Sequence, residues 1–257
     1  MLLAIDVGNT NIVIGHHDGT KWLSFWRLPT KLEMTEDSLG AIYLTLCKEA
    51  NIPIKPSTVI CASVVPPLNI VLEQFAEKYL SSKIVFLSSE ILPNMEIRYE
   101  PRDAVGADRL ANAIAAKAKY PLPAIVVDFG TATTFDAIGP NGEYLGGSIF
   151  PGIELSMEAL FSKTAKLPRV ELRHPGKAIG ESTVMSLQSG LVIGYAGAID
   201  TLIRDFKAEL GGKAKVIATG GIAKLFASHC KEIEEIDPML TLEGLRISLD
   251  FIGKESK

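Results

Sequence analysis

Cysteine is scarce and odd in number: Cys47, Cys61 and Cys230 are scattered, with no C-x-x-C pair among them. This excludes a disulfide framework, argues against structural zinc, and leads us to expect a reduced, cytoplasmic protein. An excess of basic charge is also missing. Lys plus Arg number 26 against 30 Asp plus Glu, a formal charge of −4, so the basic stripe that nucleic acid or anionic lipid requires is not expected. Long apolar runs are absent too. The longest stretch free of charged or strongly polar residues, Gly190 to Ile199, is far short of the ~20 residues of a membrane-spanning helix. Met1 to Ile5 are apolar, but Asp6 ends the run without a positive region or cleavage site, so no export signal is expected. No G-x-x-x-x-G-K-S/T loop, H-R-D loop or G-x-S-x-G elbow occurs, which excludes a P-loop and the corresponding kinase and hydrolase sites. The four histidines lack metal-ligand spacing; His16-His17 is assigned to a solvated hairpin and the cysteines to the core or, for Cys230, to a helix end. What remains is ordinary globular composition, 47% hydrophobic and 22% charged over 257 residues. Such a chain forms one large domain or two small ones and folds without covalent staples.

The main organisational signal is internal. Leu2-Leu3-Ala4-Ile5 runs into Asp6-Val7-Gly8-Asn9-Thr10, and Ala124-Ile125-Val126-Val127 runs into Asp128-Phe129-Gly130-Thr131-Ala132. Each reads as a buried strand feeding an Asp-x-Gly turn. Second strands follow at Ile12 to Ile14 and Thr134 to Ile138. The hairpin dipeptides Asp18-Gly19 and Asn141-Gly142 predict primed turns, with positive φ at both central residues. Third strands are expected at Trp22 to Arg27 and Tyr144 to Ile149. The unit is thus duplicated.

Beyond the repeat, helix and strand alternate. Glu36 to Ala50 carries a helical stripe at Leu39, Ile42, Tyr43 and Leu46, and Thr58 to Ser63 is a strand. A helix opened by Pro66 or Pro67 runs to about Leu80. Lys83 to Leu87 is a strand, Ser88 to Arg102 a loop and Ala104 to Lys119 a helix. Tyr120-Pro121-Leu122-Pro123 is the expected hinge between halves 1–119 and 120–257. The second half continues with a helix at Ile153 to Phe161, a loop to Gly180, and a long helix from Thr183 to Glu209. A strand at Lys215 to Ala218, a helix at Ile222 to His229, a strand near Ile233 and a helix at Thr241 to Ile252 complete it. The fold class is α/β, two mixed sheets with packed helices and an expected cleft between the halves.

Three groups of residues could carry chemistry. In the Asp-x-Gly turns, glycine permits close backbone approach to a phosphate, and successive N–H groups can ring anionic oxygens. Asp6 would act there through Mg²⁺ or its water shell, since a carboxylate repels phosphate. A plain hairpin with a capping Asp explains one such turn; two at matching strand ends favour a polyphosphate gripped from both sides. Gly106-Ala107-Asp108-Arg109 stands where a helix begins. Asp108 suits a first turn through the macrodipole alone, or else serves as general base with Arg109 clamping a carboxylate or phosphate. Thr219-Gly220-Gly221 is a simple strand-to-helix turn or lets a flat ligand such as adenine lie against the backbone. Gly180-Glu181-Ser182-Thr183 offers hydroxyls that either cap a helix or bind a substrate carboxylate at its N-terminus. Gly190, Gly194 and Gly197 allow close packing of the long helix against another.

The ordered set Asp6-Val7-Gly8-Asn9-Thr10-Asn11, Gly106-Ala107-Asp108-Arg109, Asp128-Phe129-Gly130-Thr131-Ala132-Thr133-Thr134, Gly180-Glu181-Ser182-Thr183 and Thr219-Gly220-Gly221 resembles the type III pantothenate kinases over essentially the whole chain. These belong to the acetate/sugar kinase, Hsp70 and actin superfamily, with duplicated ribonuclease-H-like halves. The resemblance implies ATP-dependent phosphorylation of the 4′-hydroxyl of pantothenate, the first step toward coenzyme A. By it, Asp6, Val7, Gly8, Asn9, Thr10, Asn11, Ile12 and Val13 surround the ATP phosphates and Mg²⁺, and Thr131 touches ATP. Asp108 is the proton acceptor, and Tyr99, Gly106, Ala107, Asp108, Arg109 and Thr183 hold pantothenate. Asp128 binds a monovalent cation, K⁺ or NH₄⁺, and Gly220 and Gly221 lie in the adenosine loop. It also implies a homodimer with sites near the subunit interface. The family often has Asn-Pro where this chain reads Pro101-Arg102-Asp103 before Val105-Gly106. Two other readings share these residues: a kinase for another small hydroxy acid, and a nucleotide-binding regulatory protein like the accessory factors of a bacterial virulence regulator.

Overall fold

The computed structural model describes residues 1–92 and 95–252; residues 93 and 94, inside the expected 88–102 loop, lie outside it. Two compact units result. The first comprises Met1–Met95, Tyr99–Ala115 and the chain from Leu240; the second comprises Glu96–Arg98 and Ala116–Met239. The last helix, placed by sequence in the second half, therefore folds with the first.

In the first unit, β1 (Leu2–Val7), β2 (Asn11–His17) and β3 (Trp22–Pro29) form an antiparallel meander. Parallel strands β4 (Thr58–Ser63) and β5 (Ile84–Phe86) complete the sheet in the order β3-β2-β1-β4-β5. All of β1 except Asp6 is buried, as expected of a central strand covered on both faces. Helix α1 (Glu36–Glu49) starts at a reciprocal cap in which the Thr35 hydroxyl accepts from Ser38 N–H and the Ser38 hydroxyl accepts from Thr35 N–H. Its buried stripe is Leu39, Gly40, Tyr43 and Cys47, so Ile42 and Leu46 of the expected stripe give way to Cys47. Proline opens the next helix as expected: a 3₁₀ turn at Pro66–Leu68 leads into α2 (Asn69–Phe75), which widens to a π-helical turn over Ala76–Leu80.

The second unit repeats the plan. Strands β6 (Ala124–Phe129), β7 (Ala132–Ile138) and β8 (Tyr144–Pro151) form the meander, and β9 (Lys215–Thr219) and β10 (Glu235–Ile236) lie parallel to β6 in the order β10-β9-β6-β7-β8. Burial along β6 and β7 repeats that along β1 and β2 position for position. After α4 (Ile153–Lys163), α5 (Thr183–Gln188) and α6 (Tyr195–Glu209) are joined by a π-helical segment at Ser189–Gly194 into the long helix expected from Thr183 to Glu209. The last helices among the described residues are α7 (Ala223–Ala227) and α8 (Leu240–Ile252), while α3 spans Ala107–Lys119.

Three expectations are corrected. The hairpins are not two-residue primed turns. Gly19 and Gly142 alone of their dipeptides have positive φ (108° and 81°), because longer connections relieve Asp18 and Asn141 of that conformation. The Asp18 carboxylate instead accepts from Thr20 N–H, Lys21 N–H and the Thr20 hydroxyl. The strand expected near Ile233 forms two residues later, at β10.

The third correction concerns His16 and His17, which are buried, not solvated. β2 runs on through His17 between two neighbouring strands, so the pair alternates across a covered sheet. His16 stacks on Tyr43 at 5.5 Å, meets Trp26 edge-on, and lies 3.9 Å from Cys47 Sγ through Nε2. Its Nδ1 is buried without a hydrogen-bond partner, and burial lowers its pKa from 6.5 to about 4. Protonation thus favours the unfolded chain. The stability tied to neutral His16 is fully present above pH 6.5 and is lost as pH falls toward 4. Replacing His16 with Phe should flatten the dependence of unfolding free energy on pH in that window by up to about 1.4 kcal/mol per pH unit, as read from urea titrations at pH 5 and pH 7.

Candidate active site

Asp6 is the fifth residue of β1, half-buried at its C-terminal end. The turn beyond it is closed by a hydrogen bond from Gly8 N–H to Asn11 C=O at 2.9 Å, leaving Asn9 and Thr10 exposed. Thr30, just past β3, braces this turn: its hydroxyl donates to Gly8 C=O at 2.6 Å and its N–H to Thr10 C=O at 2.9 Å. Sequence reading missed Thr30, which carries no motif. On the other side of β1, Asp6 is in register with Ala62 of β4, and Val64 N–H donates to Val7 C=O at 3.0 Å. Burial holds the neighbouring Cys61 thiol well above its usual pKa, and the Asp6 charge raises it further, so Cys61 stays protonated core.

Asp128 holds the equivalent place in β6. The register Phe129↔Thr133 against Val7↔Ile12 makes the second turn one residue shorter, with Gly130 and Thr131 exposed at its tip. Asp128 is in parallel register with Thr219, and the chain then turns at Gly220. Gly220 has φ +96°, and a Cβ there would lie 2.5 Å from Asp128 Oδ1 and 2.6 Å from Phe129 O. Both the backbone conformation and the space demand glycine. The Gly-Gly turn thus rests directly on the carboxylate. Thr183 stands in this same unit, exposed, as the first residue of α5; the Ser182 hydroxyl caps that helix by accepting from Met185 N–H at 3.3 Å.

The Gly106–Arg109 segment belongs to the first unit. Asp108 lies in the first turn of α3, where its Oδ1 accepts from Arg109 N–H at 2.8 Å. A Cβ at Gly106 would stand 2.6 Å from that oxygen, so any side chain there displaces the carboxylate. Burial raises the Asp108 pKa, and this outweighs the lowering by the Arg109 hydrogen bond and charge. The result is a carboxylate that binds a proton more readily than one in water, as a general base requires. Arg109 is buried, with its Cζ 5.9 Å from the centre of the Tyr99 ring. Tyr99, Gly106, Asp108 and Arg109 therefore come together as expected, despite the departure at Pro101-Arg102-Asp103. Arg102 fixes that departure: its Nη2 donates to the carbonyls of Ser89 at 3.0 Å and Leu92 at 3.2 Å. Nothing in the sequence marked it for this task.

Among the described residues, no group of three or more His, Cys, Asp or Glu stands together. An oxygen-seeking cation at Asp6 or Asp128 would thus draw its remaining ligands from backbone, water or substrate oxygens. Mg²⁺ is commonly bound this way, through one or two carboxylates plus phosphates.

The type III pantothenate kinase family profile matches residues 2–205. A type III pantothenate kinase of Myxococcus xanthus is 49% identical over 248 residues, covering 96% of this chain and 97% of that protein. In fold, the chain is similar to a Baf family protein from Campylobacter jejuni, with a TM-score of 0.62 at 21% identity covering 99% and 98% of the two chains. It is also similar to the activator of the 2-hydroxyisocaproyl-CoA dehydratase from Clostridium difficile, solved with bound ADPNP, with a TM-score of 0.54 at 12% identity covering 99% and 96%. The two five-stranded mixed sheets are those of the actin-like ATPase fold. On family profile and sequence identity alike, the chain belongs to the type III pantothenate kinase family.

Proposed function

We propose that the protein transfers the γ-phosphoryl group of ATP to the 4′-hydroxyl of pantothenate, giving 4′-phosphopantothenate and ADP. The observation that carries this reading is the desolvated Asp108 carboxylate at the start of α3, with Arg109 and Tyr99 beside it. Asp108 accepts the hydroxyl proton as the oxygen bonds to the γ-phosphorus and the bond to ADP breaks. Arg109 pairs with the pantothenate carboxylate, and Tyr99 and Thr183 line the same substrate. The turn from Asp6 to Val13 presents N–H groups and the Asn9, Thr10 and Asn11 side chains to the ATP phosphates; Thr131 touches ATP, and Gly220 and Gly221 receive the adenosine. Mg²⁺ bound near Asp6 supplies neutralisation of the phosphate charge. Asp128 holds a monovalent cation, a role supported by its contact with the Gly220 turn. Since phosphoryl transfer depends mainly on positioning and charge stabilisation, an acidic protein needs these local cations.

The direct test is ADP release from ATP in K⁺ buffer with and without pantothenate; release that ignores pantothenate would refute the substrate. In the same assay Asp108→Asn should lower kcat about 10²–10⁴-fold, the usual worth of a positioned base, while ATP affinity is retained. A variant with near-normal kcat would remove Asp108 from the role of base.

The cation assignment makes its own prediction. Activity in Na⁺ buffer should be low and rise on adding K⁺ or NH₄⁺, whereas a rate indifferent to cation identity would strip Asp128 of its part. Finally, the protein acts as a homodimer. Gly190, Gly194 and Gly197 support this, since, beyond the backbone of their own helix, a Cβ on any of them meets no described atom within 4 Å and leaves room for a close neighbour. Sedimentation at micromolar concentration should give about twice the mass of one chain, and a monomer would refute it.

A further inference from the structure

The two halves place a turn at the same point relative to their aspartates. Asp128 is in register with Thr219, so the next residues are Gly220 and Gly221; Asp6 is in register with Ala62, so the next are Ser63 and Val64. In the second half this turn is the one that rests on the Asp128 carboxylate. The first-half counterpart, Ser63-Val64-Val65, carries no motif, and the proposed function gives it no task.

Its contacts give it one. Val64 N–H donates to Val7 C=O at 3.0 Å, at the root of the Asp6 turn. The Val64 Cγ1 methyl lies 3.6 Å from the point where a Gly106 Cβ would stand, a point 2.6 Å from Asp108 Oδ1. One half-buried residue thus touches the base of the phosphate turn through its backbone and stands beside Gly106, the residue under the general base, through its side chain. The turn itself is held firmly. The Ser63 hydroxyl donates to Asn69 Oδ1 at 2.7 Å and accepts from Val65 N–H at 3.3 Å. Pro66 and Pro67 follow, opening the next helix with fixed φ.

We propose that Val64 is a positioning residue: its methyl stands beside Gly106, under the Asp108 carboxylate, while its amide ties that point to the Asp6 turn, fixing the separation between general base and phosphate site. The proposal rests on the reading of Asp108 as base for pantothenate phosphorylation. Shortening the side chain loosens that separation without removing a group that touches either substrate. Misplacement of reacting groups by about an ångström is enough to cost on the order of 10²-fold in rate.

The test is steady-state kinetics of Val64→Ala and Val64→Ile beside the unaltered protein, with thermal unfolding of each. Val64→Ala should lose at least tenfold in kcat, with KM for ATP and for pantothenate changed by less than about threefold, and Val64→Ile, which keeps a methyl facing Gly106, should restore most of the rate. A Val64→Ala enzyme with kcat within twofold of the unaltered protein overturns the proposal. So does a loss that Val64→Ile fails to restore although that variant unfolds at the normal temperature. If the unaltered protein releases no pantothenate-dependent ADP, the functional reading falls and this proposal with it; if it does while the Val64 variants behave normally, only this proposal falls.

Discussion

Everything at the site hangs on one kind of pairing, repeated once in each half: a parallel strand laid beside an aspartate-bearing strand. Parallel pairing with β4 leaves the C-terminal ends of β1 and β4 side by side, and β9 does the same for β6. Parallel neighbours both leave the sheet at that edge, where open α/β sheets generally bind their ligands. The antiparallel strand on the other side contributes a tight turn at the same edge. Each aspartate therefore sits between a tight turn and a crossover turn, half-buried, with its loop tips in solvent.

The surroundings of the carboxylates differentiate them. Asp108 is pushed toward proton binding by burial, and Arg109 restrains the shift. Asp128 instead lies against the backbone of a Gly-Gly turn, a setting rich in oxygen donors. The two carboxylates thus stand in distinct environments, one on the first turn of a helix and the other at a strand end against a glycine turn. The conserved geometry is that of the strands, and the chemistry resides in the turns.

The sheets were legible because their signals are local. Apolar runs ending in Asp-x-Gly mark β1 and β6, proline marks the start of the segment before α2, and the apolar stretch from Thr183 gives the long helix its full length. The Gly-Ala-Asp-Arg segment could be assigned because its residues are consecutive. What escaped depends on tertiary neighbours. His16 reads as polar until α1 places Tyr43 and Cys47 over it. Thr30, Arg102 and Val64 bond to carbonyls distant in sequence, and no pattern in one sequence records such pairings. The hairpin error has a similar origin, because a dipeptide suggests a turn type but strand register decides the length of the connection.

The return of α8 to the first sheet has a consequence for how the protein is made. This helix packs on β1 and β4, strands drawn from the first part of the chain, yet it is synthesised after the whole of the second unit. One face of the N-terminal sheet must wait for it, carrying apolar side chains through the synthesis of everything from Ala116 to Met239. The first module begun is thus completed only after the second, and until then its bare face needs shelter.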